Sequence, residues 1–222
     1  MSVAGKLAKP GPRTLLALDG GGIRGLIAVQ VLAEIERQLQ ETSGRGDDFV
    51  LADYFDYIGG TSTGALIATT LALGMRVAEI RRFYHQSGQE MFDKASLLRR
   101  YQYKFRDDQL ARLIQEVVGA ETTLGSDRLR TLVLLVLRNA TTNSHWPLSN
   151  NPQATFNQGG PGTPSNLQLP LWRLLLASTA APTVRAWRAD NRLSRRGPTT
   201  TARAATSHRA PRAPAPTVRG EW

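Results

Sequence analysis

Thr14-Leu15-Leu16-Ala17-Leu18-Asp19-Gly20-Gly21-Gly22-Ile23-Arg24-Gly25 runs a short apolar segment into three consecutive glycines. The run over 14–18 suits a buried parallel strand. Behind it, Leu26, Val29, Leu32, Ala33, Ile35 and Leu39 recur mainly at three- and four-residue spacings among Glu34, Glu36, Arg37 and Gln38, which predicts an amphipathic helix over 26–40. Strand, glycine loop and helix form the opening unit of an α/β fold.

The same unit is then repeated. Residues 54–58 read as a second strand, Gly59-Gly60-Thr61-Ser62-Thr63-Gly64 as a glycine-rich turn, and 63–73 as a helix stopped by Gly74. Helical spacing returns over 77–86 and 107–118, and 131–137 is a β-rich apolar run suited to a third buried strand. Strands alternating with helical crossovers predict a mostly parallel sheet sandwiched by helices. Residues 139–168, rich in Asn, Thr, Pro and Gly, read as a loop or insertion, and 169–181 as a last helix ended by Pro182.

Composition bounds the rest. The chain has 222 residues, of which 41% are hydrophobic, enough for a real core, and no cysteine, so disulfides, thiolate metal sites and a cysteine nucleophile are ruled out. The formal charge of +10 is local: residues 185–222 hold nine Arg against Asp190 and Glu221. This stretch has too few apolar side chains to offset its ordering entropy and is expected to be a disordered tail. Its charge suits non-specific attraction to nucleic acid or an anionic membrane, and no specific nucleic-acid partner is expected. Neither a signal peptide nor an apolar tract of the roughly 20 residues that span a membrane is legible, so a cytoplasmic protein is expected, compatible with peripheral contact at a membrane surface.

Each glycine motif carries alternatives. Gly20, Gly22 and Gly25 match Gly-x-Gly-x-x-Gly, the pattern by which a dinucleotide fold brings a pyrophosphate to a helix N-terminus. The acidic residue such a fold needs is represented only by Glu41, in the loop after the helix rather than at a strand end. Gly60-Thr61-Ser62-Thr63-Gly64 matches Gly-x-Ser-x-Gly, in which a serine on a sharp strand-to-helix turn is exposed as a nucleophile. Its bland reading is a helix N-cap at Ser62. Together the motifs offer a nucleophile plus backbone N–H donors for the oxyanion of acyl transfer.

This pairing resembles the patatin-like phospholipase family, with its Asp-Gly-Gly-Gly-x-Arg/Lys-Gly loop and Gly-x-Ser-x-Gly elbow. Similar wording continues through Arg138-Asn139-Ala140-Thr141, Ser149-Asn150-Asn151-Pro152 and Ala177-Ser178-Thr179-Ala180-Ala181-Pro182-Thr183. The resemblance covers residues 13–184 as a C-terminally incomplete domain, with 185–222 as the tail. It implies an α/β-hydrolase-related three-layer fold and a lipid or phospholipid ester substrate. It also implies Ser62 as nucleophile, Gly20, Gly21 and Gly22 as the oxyanion hole, and Asp19, Arg24, Gly25, Gly60 and Gly64 as motif support. No metal or organic cofactor is implied.

The family's base is an Asp in an Asp-Gly-Gly or Asp-Gly-Ala motif beyond the Ala-Pro-Thr segment. Here the only Asp beyond Pro182 is Asp190, followed by Asn191, so no dyad Asp is found. A shifted frame or truncated gene would leave that signature, and impaired activity or a non-catalytic lipid-binding remnant is expected. His85, His145 and His208 read as surface residues. Arg24 opposes the helix dipole, so a carboxylate anchor is expected for it, with attraction of a phosphate head group as the alternative. Asp19 is expected to brace the glycine loop. The aromatics Phe83, Tyr84, Met91-Phe92, Tyr101, Tyr103 and Phe105 read as core more readily than as an acyl pocket, and Arg81, Arg82, Arg99 and Arg100 as a solvated face.

Overall fold

In a computed structural model of the chain, residues 2–92, 103–138, 144–160 and 164–179 are described. Expectations for the tail, for His208, Asp190, Tyr101, Arg99 and Arg100, and for residues 139–141 and 180–183 lie outside these residues. The helices are α1 Val3–Ala8, α2 Gly25–Ser43, α3 Leu51–Tyr54, α4 Thr63–Ala72, α5 Val77–Phe92, α6 Tyr103–Val118 and α7 Leu171–Thr179. The strands are β1 Leu15–Leu18, β2 Tyr57–Thr61, β3 Leu132–Arg138 and β4 His145–Ser149. They form a single mixed sheet in the order β1-β2-β3-β4. The first three strands are parallel and β4 is antiparallel to β3. This is the mostly parallel α/β sheet flanked by helices that the sequence predicts.

Helix α4 is mostly apolar, with Thr63, Thr69 and Thr70 its polar side chains, and is buried at every position, as a central helix must be. It packs across β1, β2 and β3, with α7 beside it against β3. Their core joins Ile58, Val133 and Leu135 of the sheet to Leu66, Ile67 and Leu71 of α4 and to Leu171 and Leu175 of α7. The opposite sheet face is less covered: Leu15, on edge strand β1, is 68% exposed. On α2, Ile27 and Val31 are exposed as well.

Two expectations are corrected. The second strand begins at Tyr57 rather than 54, because residues 51–54 form α3, and it continues through Gly59 and Gly60. Gly60 is glycine because α4 packs directly on the strand: a Cβ there would run into the Gly64 backbone, whereas one on Gly59 would make only ordinary contacts with Leu134. The region 139–168 is not all loop, since it contains β4. Pro147 hides that strand from a propensity reading, yet a residue without an N–H is tolerated on a sheet edge.

The end of the sheet away from the glycine loops is fastened by α1. Buried Lys6 donates from Nζ to the Phe55 carbonyl at 2.6 Å, and Lys9 pairs with Asp56 at 3.2 Å. Burial pushes the Asp56 carboxyl up, but the Thr14 N–H and hydroxyl and Lys9 outweigh it and leave the group below its ordinary range. Among the described residues, no helix is long and apolar enough to cross a membrane.

Candidate active site

Both glycine motifs emerge at the carboxyl ends of parallel strands, where α/β sheets bind ligands. Thr61 ends β2 and Thr63 begins α4, leaving Ser62 to make the whole turn at φ 54°, ψ −124°. It is the only non-glycine residue with positive φ among those described. Such a conformation costs about 1–3 kcal/mol and persists only where its surroundings over-determine it.

Those surroundings can be named. A Cβ on Gly64 would strike the Leu18 and Asp19 carbonyls, so only glycine lets the turn close against the end of β1. The Ser62 carbonyl accepts from Ala65 and Leu66 and starts α4. The Ser62 N–H donates to Ser178 Oγ at 2.9 Å, and that hydroxyl donates to the Val136 carbonyl at 2.9 Å. Among the described residues the Ser62 side chain makes no capping bond, so the N-cap reading fails there and the hydroxyl is left uncommitted.

The first glycine loop lies directly on this elbow. A Cβ on Gly20 would sit 2.8 Å from Ser62 Cβ and 3.5 Å from Ser62 Oγ. The Gly21 N–H donates to Thr63 Oγ1 at 3.0 Å. Gly22, at φ 59°, turns the chain into a short 3-10 segment leading to α2. Gly25 is buried against the Tyr84 ring, Ile67 and Thr63, and the Tyr84 hydroxyl donates to the Thr63 carbonyl at 3.2 Å. Burial pushes the Tyr84 hydroxyl far up, so it remains a protonated donor beneath the elbow.

Asp19 and Arg24 are both exposed, and neither forms an ion pair among the described residues, so the carboxylate anchor expected for Arg24 is not found there. Glu41, the acidic residue weighed for a dinucleotide ribose, lies within α2 and pairs with Arg37 at 2.5 Å. It stands at no strand end. Tyr84 is core, as expected, and His85 is exposed on α5.

His145 is placed where the sequence did not suggest. It begins β4 opposite Arg138 and lines a cleft of about 350 Å³ with Thr61, Val136, Ser144 and Ser178. The signal that could have found it is the pairing of β4 with β3, which a single sequence does not display. Among the described residues, no group of three or more His, Asp and Glu side chains is arranged to hold a metal ion.

A family model described as patatin-like phospholipase matches residues 16–212. Patatin-like protein 1 of Oryza sativa subsp. indica is 42% identical over 131 residues, covering 51% of this chain and 31% of that protein. A cGAMP-activated phospholipase of Vibrio cholerae is 31% identical over 180 residues, covering 76% of this chain and 48% of its own length. The chain thus spans less than half the length of either relative. Among solved structures, VipD from Legionella pneumophila aligns with a TM-score of 0.45 at 14% identity, over 78% of this chain and 43% of its own.

Proposed function

The chain belongs to the patatin-like phospholipase family, and on that premise we propose that it is a lipid acyl hydrolase scaffold working through Ser62. In this reading the Ser62 hydroxyl attacks an ester carbonyl, and N–H groups of the 20–22 loop receive the charge that develops on its oxygen. Gly20 and Gly22 serve first, since the Gly21 N–H reaches an oxyanion only by leaving Thr63 Oγ1. The observation that carries the reading is Ser62 itself: a strained, half-buried residue at a strand-to-helix turn, its hydroxyl uncommitted, under a loop of glycines.

The substrate class is a lipid ester met in the cytoplasm or at a membrane surface. Residues 13–184 form the hydrolase-like domain and 185–222 a separate Arg-rich segment with no specific nucleic-acid role. Within these 222 residues no Asp-Gly-Gly or Asp-Gly-Ala follows Ala181-Pro182-Thr183, and a serine without a base is a weak nucleophile. For these 222 residues by themselves the reading predicts slow turnover.

That missing base also supports a second reading, a lipid-binding protein without turnover. Hydrolysis of p-nitrophenyl butyrate by the chain and by Ser62→Ala separates the two. A rate that is slow but lost in the variant supports the hydrolase, whereas equal background in both supports the non-catalytic protein.

A further inference from the structure

We propose that Thr63 is a positioning residue of the site: its hydroxyl, by keeping the Gly21 N–H, tethers the glycine loop over Ser62. The proposal rests on the hydrolase reading above and adds to it the side chain that sets the loop's place.

The loop has little means of holding itself. Gly20, Gly21 and Gly22 have no side chains to pack, and glycine loses more backbone freedom on ordering than any other residue. The charged residues at its two ends, Asp19 and Arg24, are exposed and form no ion pair among the described residues. Gly20 is exposed as well. Donors to a developing oxyanion act best when fixed before the reaction, and a misplacement of about 1 Å costs roughly a hundredfold in rate. A tether has to come from another element.

Thr63 supplies it. It is the first residue of α4, directly after Ser62, and is buried. Its Oγ1 accepts the Gly21 N–H at 3.0 Å. Thr63 is itself held: its carbonyl accepts the Tyr84 hydroxyl at 3.2 Å, and a Cβ on Gly25 would lie 3.6 Å from Thr63 Cβ, so the side chain also abuts the start of α2. A β-branched side chain has few χ1 choices in a helix, and a buried one has no room to swing out. The middle glycine is thereby pinned to the neighbour of the proposed nucleophile, and the amides of Gly20 and Gly22 on either side of it keep their place relative to the elbow. Serine would offer the same oxygen, whereas valine would keep the branched shape without an acceptor.

The test compares the full chain with its Thr63→Val and Thr63→Ser variants. Labelling of Ser62 is followed against fluorophosphonate concentration, which separates the maximal rate from the half-saturating concentration, and amide hydrogen exchange is followed over 19–25 and 64–72. In Thr63→Val the maximal rate should fall about ten- to a hundredfold with the half-saturating concentration changed about twofold or less, and exchange over 19–25 should quicken about tenfold while 64–72 stays protected. Thr63→Ser should recover most of both. If Thr63→Val does not fold, Thr63→Ala against Thr63→Ser makes the same comparison, since the two differ only in the hydroxyl. Unchanged labelling and exchange in the variants without the hydroxyl, or equal losses with and without it, overturn the tether. Faster labelling in Thr63→Val overturns it too, by showing that Thr63 withholds the Gly21 N–H from the oxyanion. An unmodified chain that is not labelled at Ser62, yet shows the expected exchange pattern, refutes the hydrolase reading and supports the tether.

Discussion

Ser178 holds Ser62 by its backbone: the Ser178 hydroxyl accepts the Ser62 N–H at 2.9 Å and passes its own proton to the Val136 carbonyl at 2.9 Å. One side chain at the end of α7 thereby ties the elbow to β3. A residue at φ 54° needs such constraint, because relaxation toward ordinary φ would swing its side chain away from the glycine loop.

Ser178→Ala should therefore damage the site more than the fold. The Ser62 N–H loses its acceptor, a loss of about 1–3 kcal/mol if water does not replace it. Labelling of Ser62 by a fluorophosphonate probe is expected to slow about tenfold or more while the melting temperature falls only a few degrees. Ser178→Thr keeps the hydroxyl and should restore labelling. Unaltered labelling in the alanine variant would mean that the elbow holds its shape without this clamp.

Two glycines separate a role beside the proposed nucleophile from a role in the turn. A Cβ on Gly20 meets Ser62 Cβ at 2.8 Å and the Thr61 carbonyl oxygen at 3.0 Å, contacts that Gly20, itself exposed, can relieve only by moving off the elbow. Gly20→Ala should abolish labelling yet leave a folded protein by circular dichroism. On Gly60 the Cβ meets the backbone of Gly64, which has no such freedom, so Gly60→Ala should fail to fold. Comparable folding of the two variants would contradict the packing described for the turn.

Much of this site was legible because its geometry is local. Three glycines after a strand and Gly-x-Ser-x-Gly before a helix each determine their own turn, and the strand–loop–helix units built on them are present. What escaped depends on contacts distant in sequence. Ser178 is 116 residues from Ser62, and its place on an apolar helix gave no sign of a polar role. The commitment of the Gly21 N–H to Thr63 and the presence of His145 on β4 likewise follow from packing between segments. Pro147 concealed β4 by argument from propensity, and Gly59-Gly60 concealed the end of β2 because at Gly60 close packing of α4, not chain reversal, is what requires a glycine.

Two buried carboxylates should give opposite responses to pH. Burial raises Glu36, whose Oε2 accepts the Val77 N–H at 3.0 Å. A raised folded pKa means that stability is greatest below the ordinary Glu value of about 4.3 and falls as pH rises through the folded value. Glu36→Gln should therefore raise the melting temperature by a few degrees at pH 7 and by less at pH 4. Asp56 is depressed, so its contribution is complete above about pH 4 and is lost as pH falls through its folded value. Asp56→Asn should lower stability at pH 7 and flatten the acid side of the profile. Thermal melts from pH 3 to 8 check both signs, and a Glu36→Gln gain confined to low pH would contradict the first.

The last expectation concerns the base. General-base catalysis contributes about 10²–10⁴-fold, so an elbow and oxyanion loop alone should give only slow Ser62-dependent hydrolysis. Edge strand β1 with Leu15 exposed, and Ile27 and Val31 exposed on α2, further predict self-association at micromolar concentration. Appending a family-like segment bearing Asp-Gly-Gly should raise the Ser62-dependent rate about a hundredfold or more and yield a monodisperse protein. Light scattering and p-nitrophenyl butyrate kinetics on both chains test the two effects separately. Fast, Ser62-dependent turnover by the unmodified monomer would show that another residue removes the serine proton. His145, lining the cleft beside the elbow, is the first residue to substitute in that case.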